Sequence, residues 1–171
     1  VGLAQAYLER AELLMEEEEF DEGLAQLGIL ITTLEPLEGV EVRLLRARAL
    51  VCRAHFHHPN GLGLEAALDD LDQALLTLRL GEEEELRILQ AELWIVRGRL
   101  LLRARGDGAA DLERAVQLAR SLESPRAHLL LLSARRELAV ALAQHDIDAG
   151  LRELDRAEAA ARAHEIPEVD A

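Results

Sequence analysis

A short motif recurs in this chain at a constant spacing, and this recurrence limits the folds that the sequence can adopt. Positions 23, 67 and 111 of the three best copies are each 44 residues apart. Each copy opens an apolar stretch with helical spacing. A fixed period of this length is typical of stacked structural repeats, which bind partners over an extended surface. The copies are residues 20–24, 64–68 and 108–112, with a weaker fourth copy at 147–151.

The composition favours helices over strands. Leu, Ala, Glu and Arg dominate the 171 residues, aromatic residues make up only 2%, and apolar residues make up 50%. Aliphatic and long charged side chains suit helices, whereas strands are enriched in aromatic and β-branched residues. The sequence therefore predicts an all-α fold with enough apolar material for a core.

The net charge of −14 narrows the classes of partner. An acidic protein repels nucleic acid and anionic membranes, so we expect neither direct nucleic-acid binding nor membrane binding, and cationic or mixed-charge protein partners fit better. Cys52 is the only cysteine, so no internal disulfide can form. With no apolar run of membrane length and no signal peptide, we expect a cytoplasmic protein. The first residue is Val1 and the single methionine is Met15, which is compatible with a fragment of a longer protein.

Turn signals divide the chain into four helix pairs. Pro36 ends the first pair, Pro59-Asn60-Gly61 forms a loop inside the second, and Ser124-Pro125 begins the fourth in N-cap order. We predict one domain over 1–167, with units 3–36, 40–80, 82–123 and 125–165, followed by a frayed acidic tail, 168–171. The predicted helices are 3–17 and 21–34, 40–57 and 64–80, 82–105 and 109–122, and 125–144 and 147–164.

Helical spacing also predicts which side chains face the core. Cys52 shares one face of its helix with Leu45 and Ala49, which indicates a small core residue rather than a nucleophile. In the last helix we expect an inward stripe of Leu151, Leu154, Ala157 and Ala161.

The third unit carries a recognisable pattern. Trp94, Gly98 and Leu101 lie on its first helix, and Asp111, Ala115 and Leu118 on its second, before Pro125. This pattern resembles the tetratricopeptide repeat family, although Asp111 departs from the family's small apolar position. The period exceeds the family's usual length of about 34 residues, so the chain is most similar to the long-helix arrays of bacterial signal-responsive transcription activators. The resemblance implies a right-handed α-solenoid of about four antiparallel helix pairs, with a concave wall formed by the first helix of each pair.

If that implication holds, the binding residues lie on the first helices. Arg43, Arg46 and Arg53 share one helix face, and guanidinium groups hold carboxylates through paired hydrogen bonds. The alternative is that these arginines pair with Glu41, Glu92, Glu137 and their neighbours as an ordinary solvated face. The predicted peptide-binding groove comprises Leu8, Glu12, Arg43, Arg46, Leu50, Arg53, Glu92, Ile95, Arg99, Leu102, Arg103, Arg135 and Arg136.

Other polar clusters have simpler interpretations. His55, His57 and His58 could hold a metal, but helical spacing points the first two apart, and histidines at a helix C-terminus complement its dipole. The two glycine-rich segments, 61–63 and 106–108, lack the sequence of a phosphate loop and are predicted to be turns. We therefore expect a non-catalytic interaction scaffold, not an enzyme, that binds a protein or peptide and uses no metal or cofactor. The alternative is a sensor or regulatory segment of a larger bacterial signalling or transcription protein, and self-association is left open.

Overall fold

The computed structural model describes residues 2–57, 63–79 and 81–163, which form eight helices and no strand. The predicted all-α fold is confirmed, and the predicted helix ends agree with the observed ends to within two residues. The predicted tail, 168–171, lies outside the described residues. The helices are α1 (Gly2–Glu16), α2 (Phe20–Leu34), α3 (Val40–His57), α4 (Leu64–Leu78), α5 (Glu84–Arg105), α6 (Ala109–Arg120), α7 (Pro125–Ala143) and α8 (Ile147–Ala163).

Local sequence explains where the helices begin and end. The Ser124 hydroxyl accepts a hydrogen bond from the Ala127 amide at 3.4 Å, and Pro125 occupies the first turn of α7, where no backbone donor is needed. At the end of α5, Gly106 adopts a φ of 70° and donates its amide to the Leu102 carbonyl at 3.0 Å. A side chain disfavours this left-handed conformation, so glycine stops the helix there.

The contacts divide the chain into two compact units, unit 1 (residues 1–86) and unit 2 (residues 87–171). The boundary between the two units falls in the first turn of α5. Each unit is described separately below.

Unit 1 packs α1, α2, α3 and α4 around aliphatic side chains and one buried aromatic ring. Phe56 is fully buried and meets Phe20 edge-on, with ring centroids 6.0 Å apart. A Cβ atom at Gly23 would lie 2.4 Å from the Phe56 ring. The small residue of the first repeat copy is therefore required because the Phe56 ring occupies the space beside it.

Unit 2 depends on a close approach between α5 and α6. A Cβ atom at Gly108 would lie 2.0 Å from the Gly98 carbonyl oxygen, and one at Gly98 would lie 2.8 Å from the Leu112 side chain. Gly98 thus permits the close helix packing that its sequence position predicts. The core beside this contact comprises Ile95, Leu102, Leu112, Ala115, Ala134, Leu138 and Ala141.

The predicted inward stripe of α8 is wrong at its two leucines. Leu151 is 54% exposed and Leu154 is 41% exposed, whereas the buried residues of this helix are Gly150, Glu153 and Ala157. Gly150 packs against α7, and Glu153 turns inward to meet an arginine of α7. The buried carboxylate sets the rotation of α8, which leaves the leucines on the outer face.

Candidate functional site

An arginine on the first helix contacts a buried carboxylate on the second helix in three of the four helix pairs. In each case the shortest nitrogen–oxygen distance is 2.5 Å. The carboxylate residues are only 3–4% exposed, and the arginine side chains are 13–23% exposed, so water reaches these ion pairs mainly from the arginine side. We call them the buried ion pairs: Arg53 with Asp70, Arg97 with Asp111, and Arg135 with Glu153.

Each buried carboxylate has a second basic neighbour. The imidazole of His57 lies 3.3 Å from Asp70, Arg114 lies 3.1 Å from Asp111, and Arg156 lies 2.8 Å from Glu153. Both oxygens of Asp111 and of Glu153 are therefore occupied. The departure of Asp111 from the family pattern is explained, because two guanidinium groups hold its charge.

Two of these arginines also contact the only tryptophan. The guanidinium carbon of Arg97 lies 5.7 Å from the Trp94 ring centroid, and that of Arg114 lies 4.9 Å from it. Such cation–π contacts contribute about 0.5–2 kcal/mol each, depending on exposure. Arg97 and Arg114 therefore stabilise the packing of unit 2 through Trp94 as well as through Asp111.

The four aliphatic residues of the predicted groove belong to the core. Their exposures range from 0 to 8%, because the aliphatic side of each first helix faces its neighbouring helices. In this structure these four side chains therefore present no surface to a partner. They are Leu8, Leu50, Ile95 and Leu102.

In unit 1 the predicted groove arginines are paired with carboxylates. Arg43 lies 3.5 Å from Glu83, and Arg46 lies 3.3 Å from Glu35. Together with the buried pair of Arg53, these contacts match the alternative interpretation of a salt-bridged face. The exposed Glu12 lies near Cys52, and burial, assisted by the Glu12 charge, raises the pKa of the thiol to about 12.

In unit 2 some predicted arginines remain unpaired. Arg99 lies 2.8 Å from Glu137, and the predicted Glu92 lies 2.7 Å from Arg126. Arg103 and Arg136 are exposed and have no ion pair within the described part of the chain. Free guanidinium groups on a surface are available to a partner's carboxylates.

Two exposed aliphatic residues flank Arg136 on α7. Leu129 and Val140 are each 56% exposed, and their separation from Arg136 by seven and four residues places all three on one helix face. We call Leu129, Arg136 and Val140 the α7 face. The predicted groove includes neither aliphatic residue, because the family resemblance places the aliphatic contacts on core positions.

Charge is distributed unequally between the two units. Residues 1–86 contain 19 acidic and 6 basic residues, a net charge of −13, whereas residues 87–171 contain 14 acidic and 13 basic residues, a net charge of −1. Thirteen of the 19 arginines thus belong to unit 2. A count for each half of the sequence would have revealed this asymmetry.

One histidine of the predicted cluster lies beside a buried carboxylate. His57 contacts Asp70, while His58 lies outside the described residues. Among residues 2–57, 63–79 and 81–163, no group of three or more His, Cys, Asp or Glu side chains is arranged to hold a metal ion. Within the same ranges, every helix is too short or too polar to cross a membrane.

Comparisons with known proteins identify the fold. No protein-family model matches the sequence, and no curated protein matches it. Among solved structures, the yeast histone chaperone Hif1, described as a scaffold protein recruiting protein complexes to core histones, is similar with a TM-score of 0.67. The sequences are 17% identical, and the match covers 97% of this chain and 87% of that chain. The likeness confirms an all-helical, repeat-like fold.

Proposed function

We propose that this chain is a non-catalytic protein-interaction scaffold of the tetratricopeptide kind, and that unit 2 binds a peptide or helix on the α7 face. The observation that carries the proposal is the combination of exposed aliphatic and unpaired cationic side chains on one helix. Leu129 and Val140 would bury their apolar surface against the partner, and Arg136 would pair with a carboxylate.

Arg103 on α5 extends the cationic part of this surface. Arg99 lies four residues before Arg103 and contacts Glu137 of α7, so the two arginines and the α7 face belong to neighbouring helix surfaces. An acidic residue of the partner near Glu137 would be repelled, whereas one near Arg103 or Arg136 would be attracted. The proposed partner is therefore an amphipathic segment whose charges alternate with aliphatic residues.

Two further observations support a scaffold role. The yeast chaperone with a similar fold recruits protein complexes, and the third helix pair matches the tetratricopeptide pattern at Trp94 and Gly98. Repeat folds of this kind act as binding surfaces far more often than as enzymes.

The experiment compares two double variants in affinity capture followed by mass spectrometry. Arg136→Glu with Val140→Ser alters the α7 face. Arg48→Glu with Leu76→Ser makes the same charge reversal and a comparable aliphatic-to-serine change on exposed residues of unit 1. We expect the first variant to lose specific partners that the wild type and the second variant retain. Equal retention by both variants, or equal loss from both, would contradict the proposal.

The charge of unit 1 favours a second binding activity, the capture of a basic protein segment. The net charge of −13 creates an attractive field for cations, and the similar yeast protein recruits complexes to core histones. Six exposed carboxylates cluster at the turn between α1 and α2, namely Glu16, Glu17, Glu18, Glu19, Asp21 and Glu22.

Titration with purified core histones tests this second activity. Changing residues 16–19 to glutamine should weaken binding and reduce its salt dependence, since exposed charges act over about 10 Å at 0.1 M salt. The control replaces four exposed carboxylates of unit 2, Glu113, Asp148, Asp155 and Glu158, by their amides. If this control weakens binding as much, the net charge of the chain and not the turn is responsible.

A further inference from the structure

Unit 2 contains a groove that lies apart from the α7 face. Its volume is about 700 Å³, and it is bounded by the C-terminal end of α6 and by α7 and α8. This volume falls within the range of about 300–1,000 Å³ that is typical of ligand pockets. None of the activities proposed above uses this groove.

The groove is lined by more basic than acidic groups. Arg120, Arg135 and Arg156 all line it, whereas Glu123 is the one carboxylate in the lining. Glu153 beneath them offers one negative charge to two guanidinium groups, Arg135 at 2.5 Å and Arg156 at 2.8 Å. The cluster therefore retains a positive charge after its internal pairing.

Two of the arginines have hydrogen-bond donors to spare. Arg120 is exposed and forms no ion pair within the described ranges. Arg156 uses one terminal nitrogen for Glu153 while its side chain is 65% exposed, so its other donors face solvent. Guanidinium donors bind carboxylates in a paired geometry that an ammonium group does not reproduce.

The floor of the groove is aliphatic. Ala119 and Leu131 are buried there, with Ala160 of α8 partly buried beside them. A side chain that enters between the arginines would rest on these three residues and bury apolar surface. The lining contains no Phe, Tyr or Trp on which a nucleobase could stack.

We propose that this groove binds an acidic peptide segment of a partner protein, with carboxylates held by Arg120 and Arg156 and an aliphatic side chain placed over Leu131. The inference takes its class of ligand from the proposed scaffold role, but it uses a different surface of unit 2. The net charge of −14 does not prevent such binding, because charges beyond about 10 Å are screened at 0.1 M salt. The unit that contains the groove is nearly neutral.

The test uses the full chain and fluorescence polarisation. The probe is a short fluorescein-labelled peptide of glutamate, leucine and glycine, and the comparison probe has glutamine in place of glutamate. We expect the acidic probe to bind, and the glutamine probe to bind at least about tenfold more weakly because its neutral amides cannot form charge-assisted hydrogen bonds with the arginines. Equal binding of both probes would overturn the proposal.

Variants locate the bound peptide. Arg120→Glu with Arg156→Glu should weaken binding of the acidic probe at least about tenfold. Arg152→Glu with Arg162→Glu is the matched control, since it makes the same charge change on exposed arginines that do not line the groove. If the double variant does not fold, Arg120→Glu alone is used for the same binding measurement, because Arg120 forms no ion pair in the described structure that its replacement could break.

The remaining outcomes separate this proposal from its neighbours. Equal weakening by the control variant would show attraction to the general surface charge, and would overturn the groove site. Two competitors are added to the bound acidic probe. If millimolar inorganic phosphate displaces this probe and the glutamine probe does not, the groove would be assigned to phosphate instead. Arg136→Glu with Val140→Ser should leave probe binding unchanged, so that failure of the α7 face and failure of the groove are distinguishable.

Discussion

Replacing Glu153 by glutamine tests whether the buried ion pairs stabilise unit 2. The Glu153 side chain is 4% exposed and accepts from Arg135 at 2.5 Å and from Arg156 at 2.8 Å. The Arg135 side chain is 13% exposed, and its Nε is already buried without an acceptor. Glutamine keeps the shape of the side chain and removes its charge, so the guanidinium of Arg135 would stay in the interior without an anion.

The magnitude follows from burial. Removing one partner of a fully buried ion pair costs about 3–5 kcal/mol. Glutamine retains one accepting oxygen and Arg135 keeps slight contact with water, so we expect a loss of about 2–3 kcal/mol in the free energy of unfolding. The matched control is Glu158→Gln on the same helix, whose partner Arg162 lies 2.9 Å away with both side chains more than 60% exposed. An exposed pair of this kind contributes less than about 1 kcal/mol.

Urea unfolding at neutral pH, followed by Trp94 fluorescence, measures both variants in unit 2. Trp94 is the only tryptophan, and it contacts arginines of that unit. If Glu153→Gln destabilises unit 2 no more than Glu158→Gln does, the buried ion pairs are not a source of stability. The double variant Arg135→Met with Glu153→Leu should regain most of the loss, since apolar residues of similar volume can replace a buried ion pair.

Three other predictions follow from single positions. Gly108→Ala should destabilise the protein by about 1–3 kcal/mol in thermal or urea unfolding, because its Cβ would meet the Gly98 carbonyl oxygen at 2.0 Å, whereas Gly28→Ala, with no neighbour within 4 Å, should be neutral or stabilising. Ser124→Ala should cost about 1 kcal/mol through loss of the N-cap of α7, and an unchanged melting temperature would contradict this role. Burial raises the pKa of Cys52 from 9.0 to about 12; between these pH values the thiol ionises in the unfolded chain and not in the folded one, so stability should fall with rising pH by up to about 1.4 kcal/mol per unit. Urea unfolding of Cys52→Ala should lack this component, and identical pH profiles for the two proteins would refute it.

The sequence predicts the helices well because their limits depend on local chemistry. Pro125 and Gly106 act through their own backbone conformations, and the aliphatic spacing of Leu45, Ala49 and Cys52 fixes a buried face without knowledge of any partner helix. The role of Gly98 is also predictable, since its spacing from Trp94 indicates a close contact between helices, and the structure contains this contact.

The rotation of α8 and the pairing of the arginines were not predictable in the same way. Hydrophobic spacing places Leu151 and Leu154 inside, but Glu153 competes for the same face because Arg135 on another helix meets it there. Which arginine faces inward depends on tertiary contacts, and a helical face alone does not distinguish Arg46, with an exposed partner, from Arg53, with a buried one. One sequence signal does indicate two of the inward-facing arginines: Arg53 and Arg97 are separated by 44 residues, which is the period of the repeat.

The carboxylates that meet these two arginines do not follow that period. Asp70 and Asp111 are 41 residues apart, so Asp111 occupies the place of Ala67, and Asp70 lies nearly one turn further along its helix. An exchange of α6 for α4 in a chimaera would therefore bury an arginine beside alanine in the expected register. A whole helix pair carries both members of its buried ion pair, whereas a single helix carries only one, so recombination within this chain should keep these ion pairs only when its breakpoints fall between helix pairs.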